Sequence, residues 1–144
     1  ETGEIVWQVS YTCYSADGLS GGAQSSIALG QGSLDGLIYL SMARYPTGEG
    51  GTLLALNKSD GSEAWTMNTQ VYSWSTPTVV YDQDGNGYVI YCTLGQYMYL
   101  LDGLTGTQLD SMNCSGKFEA SPAVYNNWIV VGHRNGAIWG VQLT

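Results

Sequence analysis

The sequence predicts an all-β protein made of antiparallel four-stranded blades, the building units of a β-propeller. Composition and internal repetition carry that expectation. Apolar residues make up 44% of the chain and charged residues only 11%, with 20 Gly, 11 Tyr and 5 Trp against a single Phe. Aromatic and β-branched side chains suit a pleated, half-buried surface, and glycine suits tight turns. No segment sustains a 3.6-residue period. The nearest, "SEAWTMNTQVY", falls where the repeat calls for a fourth strand.

Three segments share one plan. The first, "SSIALGQGSLDGLIYLSMARYPTGEGGTLLALNKSDGSEAW", starts at Ser25. The second, "TPTVVYDQDGNGYVIYCTLGQYMYLLDGLTGTQLD", starts at Thr76, and the third, "SPAVYNNWIVVGHRNGAIWGVQLT", at Ser121. Each opens on a small hydroxyl residue and a short apolar strand. A turn follows, then a strongly apolar strand ("LIYLSM", "YVIYCT", "WIVVG"), a Gly-rich hairpin and a third strand ("TLLAL", "YMYLL", "AIWGV"). In the first two segments a polar turn with Gly61 or Gly106 leads into a more polar fourth strand. Gly61 precedes Thr76 by 15 residues, and Gly106 precedes Ser121 by 15. The third segment reaches Thr144 without a fourth strand, while "TGEIVW" near the N-terminus matches "DGSEAW" in place and kind. The reading is a single domain over 1–144 with blades at about 25–70, 76–113 and 120–144, the last completed by a strand within 1–10. Alternation places Ile5, Trp7 and Val9 on one face of that strand, to pair with Ile138 and Val141 of the last blade. Tyr91, Leu100 and Val130 are expected to be buried on central strands.

At this point the chain resembles a family. "GTLLALNKSDGSEAW" and "YMYLLDGLTGTQLD" are similar to the third-strand, turn and fourth-strand signature of pyrroloquinoline-quinone-type, or quinoprotein-like, propeller repeats. "SPAVYNNWIVVGHRNGAIWGVQL" resembles the first three strands of the same repeat. The resemblance implies a propeller fold. For function it implies less, because such repeats serve enzymes, assembly factors, sensors and scaffolds. Dehydrogenases of the family hold a quinone and a calcium ion at the ring centre, often beside adjacent cysteines. This chain has no adjacent cysteines, so neither a quinone nor enzymatic activity is expected.

Propellers close with about 4 to 8 blades. Three motifs leave apolar blade faces uncovered, and patches of that kind are unusual on a monomer. The expectation is therefore assembly with other copies of the chain by exchange of the N-terminal strand. Two copies would make a six-bladed ring, and a contact that does not close would make a filament. The alternative is a piece of a longer quinoprotein-like enzyme or sensor.

Charge excludes other classes. The net charge is -8, and Arg44, Lys58, Lys117 and Arg134 are the only basic residues, all scattered. Nucleic acid needs clustered Lys and Arg, so it is not an expected partner. No apolar run approaches the roughly 20 residues that span a bilayer, so membrane insertion is not expected. No signal peptide is recognisable in these residues, which fits a cytosolic chain or a mature form. Low charge, abundant Tyr, Gly and Asn, and a possible disulfide favour an extracellular setting, in which the sequons Asn57-Lys58-Ser59 and Asn113-Cys114-Ser115 would be candidate glycosylation sites if the host glycosylates.

Four groups of residues could carry chemistry. In "YDQDGNGYVIY", Asp82, Asp84, Asn86 and Tyr88 fall at the first four ligand positions of a calcium loop. Ile90 and Thr93 occupy the later positions, where a carboxylate is wanted, so the same residues also read as an Asx-rich hairpin turn. Tyr72 and Trp74, in "VYSWSTP" between blades, are candidate exposed ligand aromatics; with calcium they would make a carbohydrate-binding module, the other alternative. Trp7 and Trp65 sit at equivalent blade positions, as packing residues do. Cys13 and Cys114 are a candidate disulfide, with three reduced thiols as the alternative, and Cys92 is expected to be a buried thiol. His133, beside the Asn135-Gly136 turn, is expected at the surface.

Overall fold

A computed structural model describes residues 3–144; residues 1 and 2 of the expected terminal strand lie outside the described residues. Its strands form three blades and one small hairpin. In the hairpin β1 (Ser15–Ala16) pairs with β2 (Leu19–Ser20). Blade 1 comprises β3 (Gly22–Ala23) and β4 (Ala28–Leu29), both paired with β5 (Leu37–Ala43), then β6 (Gly51–Asn57) and β7 (Glu63–Thr69). Blade 2 comprises β8 (Thr78–Tyr81), β9 (Gly87–Cys92), β10 (Tyr97–Asp102) and β11 (Gln108–Asn113). Blade 3 comprises β12 (Ala123–Tyr125), β13 (Trp128–Gly132) and β14 (Ile138–Gln142). Neighbouring strands are antiparallel throughout.

The repeat is exact enough to share its irregularities. In the turn before β7, Gly61 N–H donates to Asn57 O and Asn57 N–H to Ser62 O, both at 2.8 Å. In the turn before β11, Gly106 N–H donates to Asp102 O and Asp102 N–H to Thr107 O, both at 2.9 Å. Gly61 and Gly106 have φ of +73° and +72°, which glycine adopts at no steric cost. Both blades then carry a register shift at one equivalent place, between Ala55 and Leu56 and between Leu100 and Leu101.

Successive blades pack face to face. Tyr39, Leu53 and Ala55 of blade 1 meet Val89, Tyr91 and Leu101 of blade 2 in one buried cluster. Its polar atoms are paired: Tyr39 Oη donates to Gly103 O at 3.0 Å, and the hydroxyls of Ser41 and Tyr91 lie 2.9 Å apart. Burial pushes the Tyr91 hydroxyl up to about 12. A second cluster joins Ile90, Cys92 and Met98 of blade 2 to Ile129 and Val131 of blade 3. The third lies on the outer face of blade 1, where Ile38, Leu40, Met42, Leu54 and Leu56 are buried.

The N-terminal segment departs from expectation. Glu4–Ser10 takes no ladder partner among the described residues and is not assigned as a strand. Blade 3 accordingly has three strands among the described residues. The segment instead runs as a strap, in which Trp7, Tyr11 and Cys13, with Tyr45, pack on the outer cluster of blade 1. Trp7 is placed as Trp65 is. Trp65 Nε1 donates to Gly103 O and Trp7 Nε1 to Lys58 O, both at 2.9 Å. A Cβ on Gly106 would come within 2.5 Å of the Trp65 ring, and one on Gly61 within 2.6 Å of the Trp7 ring. Each indole therefore stacks on the Gly turn of the following blade and donates to the carbonyl three residues before that glycine. Of the expected core positions, Tyr91 is fully buried, Leu100 is half-buried, and Val130 is 45% exposed because none of the described residues covers that face of β13.

Candidate functional site

The Asp82 loop is a hairpin built on its first carboxylate. Asp82 Oδ1 accepts the backbone N–H of Asp84 at 3.0 Å and of Asn86 at 2.8 Å. Asp82 Oδ2 accepts Asn86 Nδ2 at 2.8 Å and the Tyr88 hydroxyl at 2.9 Å. These donors, Asn86 first, hold the Asp82 carboxyl below the usual carboxylate range. Gly85, with φ +83°, closes the turn by donating to Asp82 O at 3.1 Å. Among the described residues no group of three or more His, Cys, Asp or Glu is gathered to hold a metal ion.

The candidate ligand aromatics are half-buried and pack on each other. The Arg44 guanidinium lies 4.4 Å over the Tyr72 ring and donates to its hydroxyl at 2.8 Å. Trp74 packs at 5.6 Å against Tyr72, and its buried Nε1 has no hydrogen-bond partner. Tyr72 thus lies between Arg44 and Trp74, and both aromatics keep part of their surface in solvent.

The expected Cys13–Cys114 bond is not formed. All three thiols are free. Cys13 packs on the outer cluster of blade 1 and Cys114 in the cluster between blades 2 and 3, so two blades separate them. Cys92 is fully buried, and burial raises its thiol pKa. His133 is buried rather than exposed: its ring fills the space over Gly116 and meets Phe118 edge-on at 5.3 Å. Nothing in "GHRNG" signals that burial, because the space is provided by a glycine in another loop. The sequon Asn113 is exposed at the end of β11, whereas Asn57 is half-buried and donates to Ser62 Oγ at 2.9 Å.

The open side of blade 3 is the feature with unmet chemistry. Counted through the repeat, Tyr39, Ile90 and Val130 are equivalent, as are Leu53, Met98 and Ile138; all point toward the following blade. Tyr39 and Leu53 are 0% exposed and Ile90 is 1% exposed. Val130 and Ile138 are 45% and 77% exposed, with Trp128 and Tyr125 also exposed beside them. On the opposite face of β14, between blades 2 and 3, runs a groove of about 290 Å³ lined by Leu100, Met112, Ile129, Val141 and Leu143. Of the expected assembly residues, Ile5, Val9 and Ile138 are exposed, and Trp7 and Val141 half-buried.

Blade repeats of this kind define a propeller of the pyrroloquinoline-quinone repeat type. The family model of outer membrane protein assembly factor BamB matches residues 49–144, and the chain belongs to that family. A relative from Danio rerio, beta-alanine-activating enzyme, is 29% identical over 96 residues, covering 65% of this chain and 8% of the relative. The C-terminal WD40 domain of Sif2 superposes with a TM-score of 0.61 at 17% identity, covering 96% of this chain and 35% of that one. BamB from Moraxella catarrhalis superposes with a TM-score of 0.55 at 13% identity, covering 96% of this chain and 49% of that one. The chain thus spans less than half the length of each of these three proteins.

Proposed function

We propose that this chain is a non-enzymatic structural or protein-binding propeller unit, acting outside the cell, that assembles with other copies of itself through the open side of blade 3. One observation carries the reading. Val130 and Ile138 are exposed at positions whose equivalents in blades 1 and 2 are buried against the next blade. A repeat that keeps apolar residues there is built to meet another blade-like surface, and contiguous exposed apolar patches mark such contacts. The BamB family supports a role in protein assembly by its description. The extracellular setting is supported by the low charge and by the exposed sequon at Asn113.

Light scattering on the purified chain across a dilution series tests this. The expected particle has twice the 15.5 kDa chain mass at high concentration. Val130→Asp should shift it to the single-chain mass, because an unpaired charge is costly to bury. A chain that stays monomeric at every concentration overturns self-assembly. That outcome would favour the second reading, a piece of a longer propeller, which the 49% coverage of BamB also suits.

A further inference from the structure

We infer that the cleft between blades 2 and 3, beside the Asp82 hairpin, receives a lysine side chain presented by a partner protein. The lysine stem lies along Val80, Leu100, Val124 and Leu143, and its ammonium reaches Tyr88. The cleft lies between two blades, so the inference stands independently of self-association.

The closed interface shows what this cleft lacks. Between blades 1 and 2, the connection from β4 to β5 forms a turn of 3-10 helix, Gly32–Leu34, and Leu34 is fully buried. Leu34 seats on two glycines of blade 2: a Cβ at Gly87 or Gly103 would collide with its side chain. Gly103 N–H donates to Gly87 O at 3.0 Å, and the same bond recurs in blade 3, where Leu143 N–H donates to Asn127 O at 2.8 Å. Asn127 and Leu143 therefore mark the counterpart of the seat of Leu34. The connection that would fill it, from β8 to β9, is the hairpin Asp82–Asn86, which carries no apolar side chain. A groove of about 610 Å³ remains there. At one interface a loop delivers an aliphatic side chain to the seat; at the next, the described residues deliver none.

The lining says which side chain fits. Val80, Leu100, Val124 and Leu143 form a half-buried apolar floor that suits an aliphatic stem. None of the lining residues is Lys or Arg. Negative charge gathers at one end. Asp82 Oδ2 accepts the Tyr88 hydroxyl at 2.9 Å, and Asp102 is directly opposite Tyr88 across the β9–β10 ladder. The Asp82 hydrogen bond first, burial second, then the charges of Asp82, Asp102 and Asp84 push the Tyr88 hydroxyl up. That field repels an anion, and a purely apolar group leaves it unanswered. A long side chain with an apolar stem and a cationic head meets both halves. Asp82 already accepts two donors at each oxygen, so it offers no free edge to a guanidinium fork. A compact ammonium needs only single acceptors. The Tyr88 oxygen, whose proton goes to Asp82, supplies one; Asn126 and Asn127, which line the cleft from blade 3, supply others.

Amide chemical-shift titration of the purified chain tests this with a capped peptide, acetyl-Gly-Lys-Gly-amide. Binding is expected in the millimolar range, with the largest shifts at Tyr88, Asn127 and Leu143. Peptides with norleucine or glutamate in place of lysine should bind more weakly by about fivefold or more at low salt. Raising salt from about 20 mM to about 500 mM should close the gap between lysine and norleucine. Val124→Phe fills the floor and should abolish binding. Asp84→Asn, an exposed change, should weaken it by about twofold with melting unchanged, and keeps the test decisive if Val124→Phe fails to fold. Equal binding of the lysine and norleucine peptides at low salt, shifts confined to other parts of the chain, or no shift at tens of millimolar peptide overturns the inference. Tighter binding of n-butylammonium than of the lysine peptide overturns the protein source and makes the ligand a free amine.

Discussion

The two ends of the blade arc finish differently, although both are apolar. On the outer face of blade 1, Ile38, Leu40, Met42, Leu54 and Leu56 are buried under Trp7, Tyr11, Cys13 and Tyr45. On the outer face of blade 3, Val130 and Ile138 stay in water with Trp128. The residues are of one kind at both ends; the neighbour differs. Burial in a repeat is a property of the interface, and stability adds up from interfaces between adjacent units. The strap also separates two functions that a true blade combines. It covers apolar surface with side chains but satisfies no ladder hydrogen bonds, so its backbone remains available for pairing.

The largest expected contrast sets a closed interface against the open one. Leu53→Ala, at a fully buried position between blades 1 and 2, should cost roughly 2 to 5 kcal/mol. Val130→Ala, measured by urea denaturation at concentrations where the chain is monomeric, should fall within about 0.5 kcal/mol of the parent. A cost above about 1 kcal/mol at Val130 would mean that its face is covered within one chain, and the contrast between the ends would fall.

The strap offers the next test. Trp7→Ala removes the indole stacked on Gly61 and should cost about 1.5 to 3 kcal/mol, the range for burying a large apolar side chain. It should also uncover the outer face of blade 1, read as increased binding of a hydrophobic dye to the native protein. If melting and dye binding are unchanged, the cluster under the strap is held by Tyr11 and Tyr45 alone.

How much of this was legible in the sequence follows the same division between local pattern and neighbour. The blades were legible because Gly61 and Gly106 recur at one spacing, and turn geometry is a local property. The strap was not. Ile5, Trp7 and Val9 alternate as a strand does, yet only Trp7 is held, because a ladder needs a partner strand that no pattern within Glu4–Ser10 can announce. Val130 differs from expectation in the same way: alternation says which face a residue takes, not whether that face is covered. The turn at Asn135-Gly136 points His133 to the surface, but its burial depends on Gly116, whose missing side chain makes room for the ring. The Asp82 motif was ambiguous for a physical reason. A calcium loop and an Asx hairpin both place oxygens on alternate residues, and only the direction of those oxygens separates them.

The smallest expected effect concerns that hairpin, which stands between the closed and open sides. Toward blade 1 it is fastened by Ser33 Oγ donating to Gly85 O at 2.7 Å and by Gln31 N–H donating to the Tyr81 hydroxyl at 2.6 Å. Toward blade 3 it borders a groove of about 610 Å³ that includes Asp82 and Tyr88. On that side its shape rests on the charged Asp82 carboxylate and the donors converging on it. Folding lowers this carboxyl's pKa, so its contribution is present above the unfolded value of about 3.9 and is lost as pH falls through the folded value. Asp82→Asn should therefore melt lower than the parent near neutrality, and the two curves should converge below about pH 4. Parallel curves from neutral to acid would show that the charge contributes nothing to the hairpin. Adding calcium or a chelator to the same scans decides between ion site and turn. With Asp82 already accepting from Asp84, Asn86 and Tyr88, neither addition should move the parent's melting temperature. A rise with calcium that Asp82→Asn abolishes would instead make the loop an ion site.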